Sequence, residues 1–516
     1  MIDVAIVGAG HNGLVAASYL AKAGLKVTVV ERRPIAGGAC VTEELLPGYR
    51  FSTAAYSAGL LRPEIIRDLG LKRHGLRLIA KDPQYFLPYP NGKHMFLWCD
   101  RKKSTREIAK FSKRDGSAYL KFCEFWDRFV DLFEPFLLRP PPSLRQLLGR
   151  AKREEEQILQ TVLFRSVKQF LDELFESDEI KAALATQGII GTFAGPDSPG
   201  TLYVMGHHML CEINGRKGVW GIPEGGMGSI TRALTEAAQG FGAELRLNSE
   251  IRRIQVEKGK ATGVKLADGK LVKAKIVISN ADPKRTFLKL VGPEHFDSDF
   301  VRRIHAVKTR SAAVKVNCAL SEPPAYSAYS SKGLGPQHRG SVEIAPSIDY
   351  LERAWQDALR GRPSKEPWLE VEVPSALDPH VAPPSKHILS IFSQYAPYEA
   401  NKDDRKNLRE EYGDRVIEAL SKYAPNVKGN LEYMQVLTPA DLEETFHLTD
   451  GNIFHTEITP DQLLSSRPMS GLGGYKSPIR NLYLCGAGTH PGGGVLGAPG
   501  YNAAHAVLAD LKAHKL

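Results

Sequence analysis

A chain of 516 residues with 42% hydrophobic and 24% charged side chains has the composition of a globular protein with more than one buried core, which excludes a disordered chain and a small stapled module. Lys and Arg outnumber Asp and Glu by 68 to 58, a net charge of +10 that favours anionic contacts, yet there is no zinc-finger spacing and no RNA-recognition run, so no nucleic-acid partner is expected. The six cysteines (Cys40, Cys99, Cys123, Cys211, Cys318, Cys485) are scattered without a C-x-x-C, which excludes a redox dithiol and points to free thiols in a reducing compartment.

The β-branched run Asp3 to Val7 predicts a buried parallel strand. Gly8-Ala9-Gly10-His11-Asn12-Gly13 follows, matching G-x-G-x-x-G, and Leu14 to Ala23 continue as an alanine-rich helix ended by Gly24. Gly8 suits a tight turn, Gly10 lets a pyrophosphate approach the backbone, and Gly13 lets helix and strand pack closely, with the helix N-terminus facing the phosphate. A second strand, Lys26 to Val30, ends at Glu31, placed to accept hydrogen bonds from a ribose diol and to repel a 2′-phosphate. Arg32, Arg33, Gly37 and Gly38 follow Glu31 in an E-R-R…G-G arrangement that resembles the extension many two-dinucleotide-fold flavoproteins place along the FAD pyrophosphate, with a basic-rimmed surface loop as the alternative.

The stretch 81–220 differs in character. Phe122, Phe125, Trp126, Phe129, Phe133 and Phe136 make an aromatic stripe on one helix face, either domain core or the wall of a tunnel for a long apolar ligand. Pro140-Pro141-Pro142 is expected to end that helix. Beyond it, Leu144, Leu147, Leu148 and Ala151, with Arg145, Arg150, Lys152 and Arg153 around them, suggest a basic amphipathic helix, so 120–155 is the segment expected to meet an anionic membrane. His207-His208 lacks carboxylate partners at helical spacing, so no metal is assigned.

Gly221 to Gly228 precede a helix, Ser229 to Gln239. Strands are predicted at Ala243 to Leu247, Ile251 to Val256, Ala261 to Leu266 and Lys275 to Ser279, with Asp268-Gly269 as a hairpin turn. By resemblance to FAD proteins of this architecture, backbone around Ile251 is expected to meet an adenine. The stretch 291–470 is mixed, with strand-like Ala312 to Leu320, Trp368 to Val373 and His387 to Gln394. Near the C-terminus Asn481 to Gly486 read as a strand ending in a glycine-rich turn, Ala487 to Gly494, that feeds a helix, Tyr501 to Lys512. Such a turn brings backbone N–H groups to a ligand, and near a flavin it stabilises the reduced ring. Gly486, Ala487, Gly488, Gly493, Gly494 and Val495 are therefore expected at the flavin, as Gly8, Gly10, Asn12, Gly13, Glu31, Arg32, Arg33, Gly37, Gly38 and Ile251 are at the adenosine diphosphate. Where many relatives of this architecture carry an acid after the strand's last glycine, this chain has Ala487, so the FAD tail must be held by backbone or other groups.

From end to end the chain resembles the bacterial phytoene desaturase superfamily. The likeness lies in Gly8 to Gly13, Glu31, the Trp220 to Gly228 run, Val277-Ile278-Ser279-Asn280-Ala281-Asp282-Pro283 and Gly486 to Gly500. Gly451-Asn452-Ile453-Phe454-His455, Asp461-Gln462-Leu463 and Arg467-Pro468 resemble its pyridine nucleotide-disulfide oxidoreductase domain-containing protein 2 branch, although the paired cysteines of a disulfide reductase are missing. The resemblance implies an α/β fold with a two-dinucleotide-fold, glutathione-reductase-like and amine-oxidase-like, Rossmann-type FAD domain and an inserted mixed α+β substrate domain. The FAD domain is expected at 1–80, 221–290 and 471–516, and the substrate domain at 81–220 and 291–470. It further implies non-covalent FAD, a long apolar isoprenoid- or carotenoid-like substrate, and contact with a membrane surface. With no apolar run near the roughly 18 to 20 residues that span a bilayer and a strand beginning almost at Met1, the expected location is cytoplasmic or peripheral to a membrane.

The implied chemistry is desaturation, saturation or isomerisation, with hydride passing to or from flavin N5 and a weak base taking the neighbouring proton. His490 is the first candidate for proton transfer, with His455 and Glu457 second. Two alternatives remain: a flavin amine oxidase, and a non-catalytic isoprenoid-binding or chaperone-like protein of the same fold.

Overall fold

The computed structural model describes residues 1–149, 151–399 and 401–513. The N-terminal unit runs β1 (Ile2–Val7), α1 (His11–Lys22), β2 (Val27–Val30). β1 pairs in parallel with β2 on one side and with the strand Leu271–Ser279 on the other, which is why Val4 to Val7 are continuously apolar rather than alternating. The helix starts at His11, earlier than the alanine-rich run suggested, because Gly10 takes the extended N-cap conformation. His11 and Asn12 therefore stand in the first turn, where backbone N–H groups lack helical partners.

This sheet has seven strands: Glu244–Arg246, β2, β1, Leu271–Ser279, Lys260–Leu266 and Ile251–Glu257 in order, with Leu482–Leu484 also pairing with Leu271–Ser279. The pairings with Lys260–Leu266 and Ile251–Glu257 are antiparallel, and the C-terminal strand joins in parallel beside Val277 to Ser279. The two glycine motifs thus end on adjacent parts of one sheet. Helices α1, Gly228–Gly240 and Ala498–Lys512 contribute to one core with it. At the α1 contact a Cβ on Gly500 would lie 2.1 Å from the Asn12 carbonyl oxygen, so only glycine fits.

The second sheet, also seven-stranded, has the order Leu431–Leu437, Ala313–Leu320, His387–Gln394, Trp368–Glu372, Ser341–Ile344, Tyr85–Pro88, His94–Leu97. Strand alternation gives it two unlike faces. Val314, Val316, Val342, Ile344, Leu369, Val371, Leu389 and Ile391 share a core with Tyr412, Val416 and Leu420 of the helix Lys402–Ser421. The other face carries Lys315, Asn317, Glu343, Glu370, Glu372, Ser390 and Gln394, all buried.

Between these sheets in the chain lies a helical layer. On the helix Lys113–Phe133 the aromatic stripe is core: Phe122, Trp126, Phe129 and Phe133 are buried with Phe170 and Tyr203. That helix stops at Phe133, before the expected Pro140 to Pro142, because Pro135 stands just beyond it in a short 3-10 turn and supplies no N–H. The expected basic amphipathic helix is likewise corrected: it is a single short segment, Leu144–Leu148, closed at Gly149, and Leu147 turns inward. Lys152 instead caps the next helix, Arg153–Phe164, and Arg150 lies outside the described residues. Among the described residues no helix is long and apolar enough to cross a membrane.

Candidate cofactor and substrate site

One cavity of about 300 Å³ runs from the first glycine motif to the polar face of the second sheet. At its first end Gly8, Gly10, Gly37 and Gly38 line the wall. Gly37 donates its N–H to the Ala9 carbonyl at 2.8 Å, and a Cβ on Gly38 would lie 3.3 Å from Gly10 Cα, so the two glycine loops close on one another. A Cβ on Gly10 would stand 2.6 Å from Asn280 Nδ2, whereas one on Gly13 would meet the Gly8 carbonyl oxygen at 2.4 Å. Gly10 is thus held open to the cavity, and Gly13, which does not line it, is consumed in helix-to-strand packing.

Glu31 is 7% exposed and lines the cavity at the end of β2. Its Oε2 accepts from Ala9 N and its Oε1 from Arg33 N, both at 2.9 Å, which fixes the carboxylate and leaves acceptor capacity for a ligand hydroxyl. Arg32 and Arg33 line the same end, but their side chains are engaged with the protein: Arg32 donates to the Thr445 and Glu444 carbonyls, and Arg33 pairs with Glu43 at 2.6 Å and stacks over Phe446. Ile251 lines this end as well.

The second motif meets the cavity through Ala487, Gly494 and Val495. Gly486, Gly488 and Gly493 stand behind them: a Cβ at each would lie 2.7 Å from Asn280 O, 2.8 Å from Pro283 Cδ and 2.6 Å from Phe454 Cδ1, respectively. Arg467, fully buried, braces this turn. Its Nη2 donates to the carbonyls of Ala487 (3.0 Å), Phe454 (2.9 Å) and Thr456 (3.3 Å), and its Nη1 to those of Glu457 (3.2 Å) and Gln462 (3.4 Å). Arg467→Met leaves these buried carbonyls without a donor and is expected to destabilise the fold by about 3 kcal/mol, read as a lower urea midpoint at unchanged slope.

His490, the first sequence candidate for proton transfer, does not line this cavity; its Nε2 donates to the Phe136 carbonyl at 2.9 Å, tying the second motif to the helical layer. Glu457 is also off the cavity wall and accepts from the Arg310 N–H at 3.1 Å and its Nε at 3.2 Å. His455 is on the wall.

Among the described residues five cavity-lining side chains carry a buried polar atom without a partner: His11 Nε2, Asn12 Oδ1, Gln187 Nε2, Arg285 Nε and His455 Nδ1. Unpaired buried polar atoms are costly, so their concentration on one wall fits a polar ligand in the cavity. With the open Gly10 cradle and the pinned Glu31 carboxylate, they make this wall chemically suited to FAD.

The far end was not legible from the sequence. Tyr56, Tyr85, Lys315, Glu370 and Phe392 line it. Glu370 Oε2 accepts from Tyr56 Oη at 3.0 Å and Oε1 from Ser341 Oγ at 2.8 Å, while burial raises its pKa. Ser341 also links to Lys81, which pairs with the buried Glu372. Lys315 Nζ donates to Ser390 Oγ at 2.8 Å and Asn317 Oδ1 at 2.5 Å, and burial pushes its pKa down to about 7. The apolar wall between the two ends includes Ala54, Ala55, Leu60, Ile190, Phe392 and Ile453.

Comparison with known proteins shows the family and the fold. The chain matches the family described as flavin containing amine oxidoreductase over residues 13–508. Pyridine nucleotide-disulfide oxidoreductase domain-containing protein 2 of Mus musculus is 39% identical over 544 residues, covering 99% of this chain and 94% of that protein. Phytoene desaturase (lycopene-forming) of Pseudescherichia vulneris is 27% identical over 517 residues, covering 96% of each. Among solved structures, a redesigned triple mutant of putrescine oxidase shares the fold with a TM-score of 0.61 at 16% identity, over 99% of both chains.

Proposed function

Since the chain belongs to the flavin containing amine oxidoreductase family and is an FAD-dependent oxidoreductase, we propose that it forms, saturates or isomerises a carbon–carbon double bond in a long, mainly apolar, isoprenoid-like molecule. The observation that carries this reading is the cavity itself, continuous from the glycine cradle to the second sheet and apolar along most of its length. The likeness to a phytoene desaturase supports the same substrate class. In this reading Gly8, Gly10, Glu31, Gly37 and Gly38 hold the adenosine diphosphate, and Ala487, Gly494 and Val495 approach the flavin, which when bound supplies two-electron hydride chemistry.

The chain's own part in the chemistry is to exclude water, align the substrate and move a proton. Lys315 is the group placed for the last task. Burial brings its pKa to about 7, so a large fraction of the amine is neutral near neutral pH and able to accept a proton from a substrate carbon. Glu370 and Tyr56, joined by a hydrogen bond on the same wall, are placed to pass that proton on.

A second reading is amine oxidation, favoured by one observation: the Glu370 carboxyl stands on the wall beside Tyr56 and Phe392, whose rings stack at 5.6 Å, a setting that suits an ammonium group. Anaerobic mixing of the holoenzyme with carotenoid precursors, retinoids, quinols and amines separates the two. Bleaching of the flavin by a polyene or isoprenoid is the expected result. Bleaching by amines alone overturns the first reading and establishes the second.

A further inference from the structure

The turn at Ala487 raises a physical question, since a flavin tail beside it meets a methyl group rather than a carboxylate. Two imidazoles stand where a replacement is needed. His11 opens α1 directly after Gly10, is buried on the cavity wall, and has no partner for Nε2. His455 lines the same cavity, with a left-handed φ of 66° that a side chain other than glycine adopts at a cost. Its ring packs against the second motif: a Cβ on Gly486 would lie 3.1 Å from His455 Nδ1, and one on Gly488 3.4 Å from its Cβ. That Nδ1 is also buried without a partner.

The two rings face the same space. Burial drives the His11 pKa down to about 3 and that of His455 down to about 4. Both are therefore neutral imidazoles, each able to donate one hydrogen bond and accept one. Leaving two such nitrogens unpaired in a core has no structural benefit, because each costs its full desolvation. The cost is recovered only when a polar ligand lies between them.

We propose that His11 and His455 form a two-sided hydrogen-bonding clamp on the diphosphate–ribityl segment of FAD, taking the place of the acid missing at Ala487. The clamp rests on the reading of Gly8 to Gly13 as the FAD cradle. Diphosphate oxygens accept hydrogen bonds and ribityl hydroxyls both donate and accept, so neutral imidazoles satisfy this stretch, and they do so without the like-charge repulsion a carboxylate would set against the phosphates. It also accounts for the strained backbone at His455: the conformation brings the ring against the Gly486 to Gly488 turn.

The test is FAD titration of full-length apoprotein by flavin fluorescence, with thermal midpoints measured for apo and FAD-loaded forms of His11→Leu, His455→Leu, His11→Gln and Gly10→Val. The clamp predicts that each leucine variant raises the FAD Kd at least tenfold while its apo midpoint stays equal to or above that of the wild type, because an unpaired buried nitrogen has been removed. His11→Gln, which retains an N–H, recovers part of the affinity. An FAD Kd within twofold of wild type in both leucine variants overturns the clamp. So does a lowered apo midpoint with an unchanged Kd, which assigns the rings to packing. If Gly10→Val binds FAD as the wild type does, the cradle reading itself fails, a result separate from failure of the clamp alone.

Discussion

Gly10→Val is expected to yield a folded protein that no longer retains FAD. The backbone at Gly10 has φ of −66° and ψ of 163°, a conformation valine adopts without strain. The first new contact, 2.6 Å from the added Cβ, is the far end of the Asn280 side chain, which can turn away. What cannot move is the narrowing of the cradle between the glycine loops. The loss should exceed about 100-fold in FAD affinity, on the order of 3 kcal/mol. Flavin absorbance per protein after purification reads it directly, and a thermal midpoint near that of wild-type apoprotein shows that the fold survives. Gly13→Ala is the instructive contrast. Its Cβ would stand 2.4 Å from the Gly8 carbonyl oxygen, a backbone atom, so the injury falls on packing of α1 against β1 and on stability first. Retention of stoichiometric FAD by Gly10→Val would remove the cradle from the functional reading.

The second large effect is expected at Lys315. If its neutral amine takes the substrate proton, turnover with the compound that bleaches the flavin rises as pH is raised from about 6 to about 8, through the Lys315 pKa of about 7. Lys315→Met should lower turnover by roughly 100-fold to 10,000-fold and abolish that acid limb. A limb that persists in the variant assigns it to another group and removes Lys315 from proton transfer. Stability supplies a readout independent of any substrate. The folded pKa of about 7 lies below that of a lysine in an unfolded chain, so from about pH 7 to about pH 10 the unfolded state holds the proton more tightly. Stability therefore rises with pH across this window, is flat below it, and gains about 2 kcal/mol between pH 7 and pH 9. Lys315→Met should lose the rise. An equal rise in both proteins would show that Lys315 is not the buried, neutralised amine described above.

Both predictions concern one cavity, but they draw on unlike kinds of information. The Gly10 prediction follows from a motif whose members are neighbours in the chain. The Lys315 prediction depends on Tyr85, Ser341, Glu370 and Ser390, which the chain brings together only through the pairing of the second sheet, and on Tyr56, which docks onto that sheet through Glu370 and Phe392. A signal for the polar face was present, since Lys315 and Asn317, like Glu370 and Glu372, alternate with apolar residues. Alternation of this kind ordinarily marks a strand with one face in water, and nothing local says that the polar face is buried instead.

The histidines teach the same lesson in reverse. His490 sits in a glycine-rich motif and was the natural candidate for chemistry, yet its ring is occupied by the Phe136 carbonyl from the helical layer, which no local pattern reveals. His455 stands second to it by sequence, and His11 is only one member of the glycine motif. These two are the imidazoles with unpaired buried nitrogens on the cavity wall. The aromatic stripe behaved similarly, since periodicity identified a buried helix face but could not distinguish a packed core from a tunnel.

The sequence by itself determined that both ends of the chain carry glycine-rich strand–turn–helix motifs suited to a dinucleotide, because a phosphate-binding turn imposes local demands. It needs strand residues apolar on both sides, glycines where a backbone must approach a ligand or another backbone, and an acid at the end of β2. Tertiary structure alone decided which other side chains line the cavity: Lys315 and Glu370 at one end, His11 and His455 at the other. Burial, proton affinity and an unpaired nitrogen are properties of surroundings assembled from distant segments, and no local spacing encodes them.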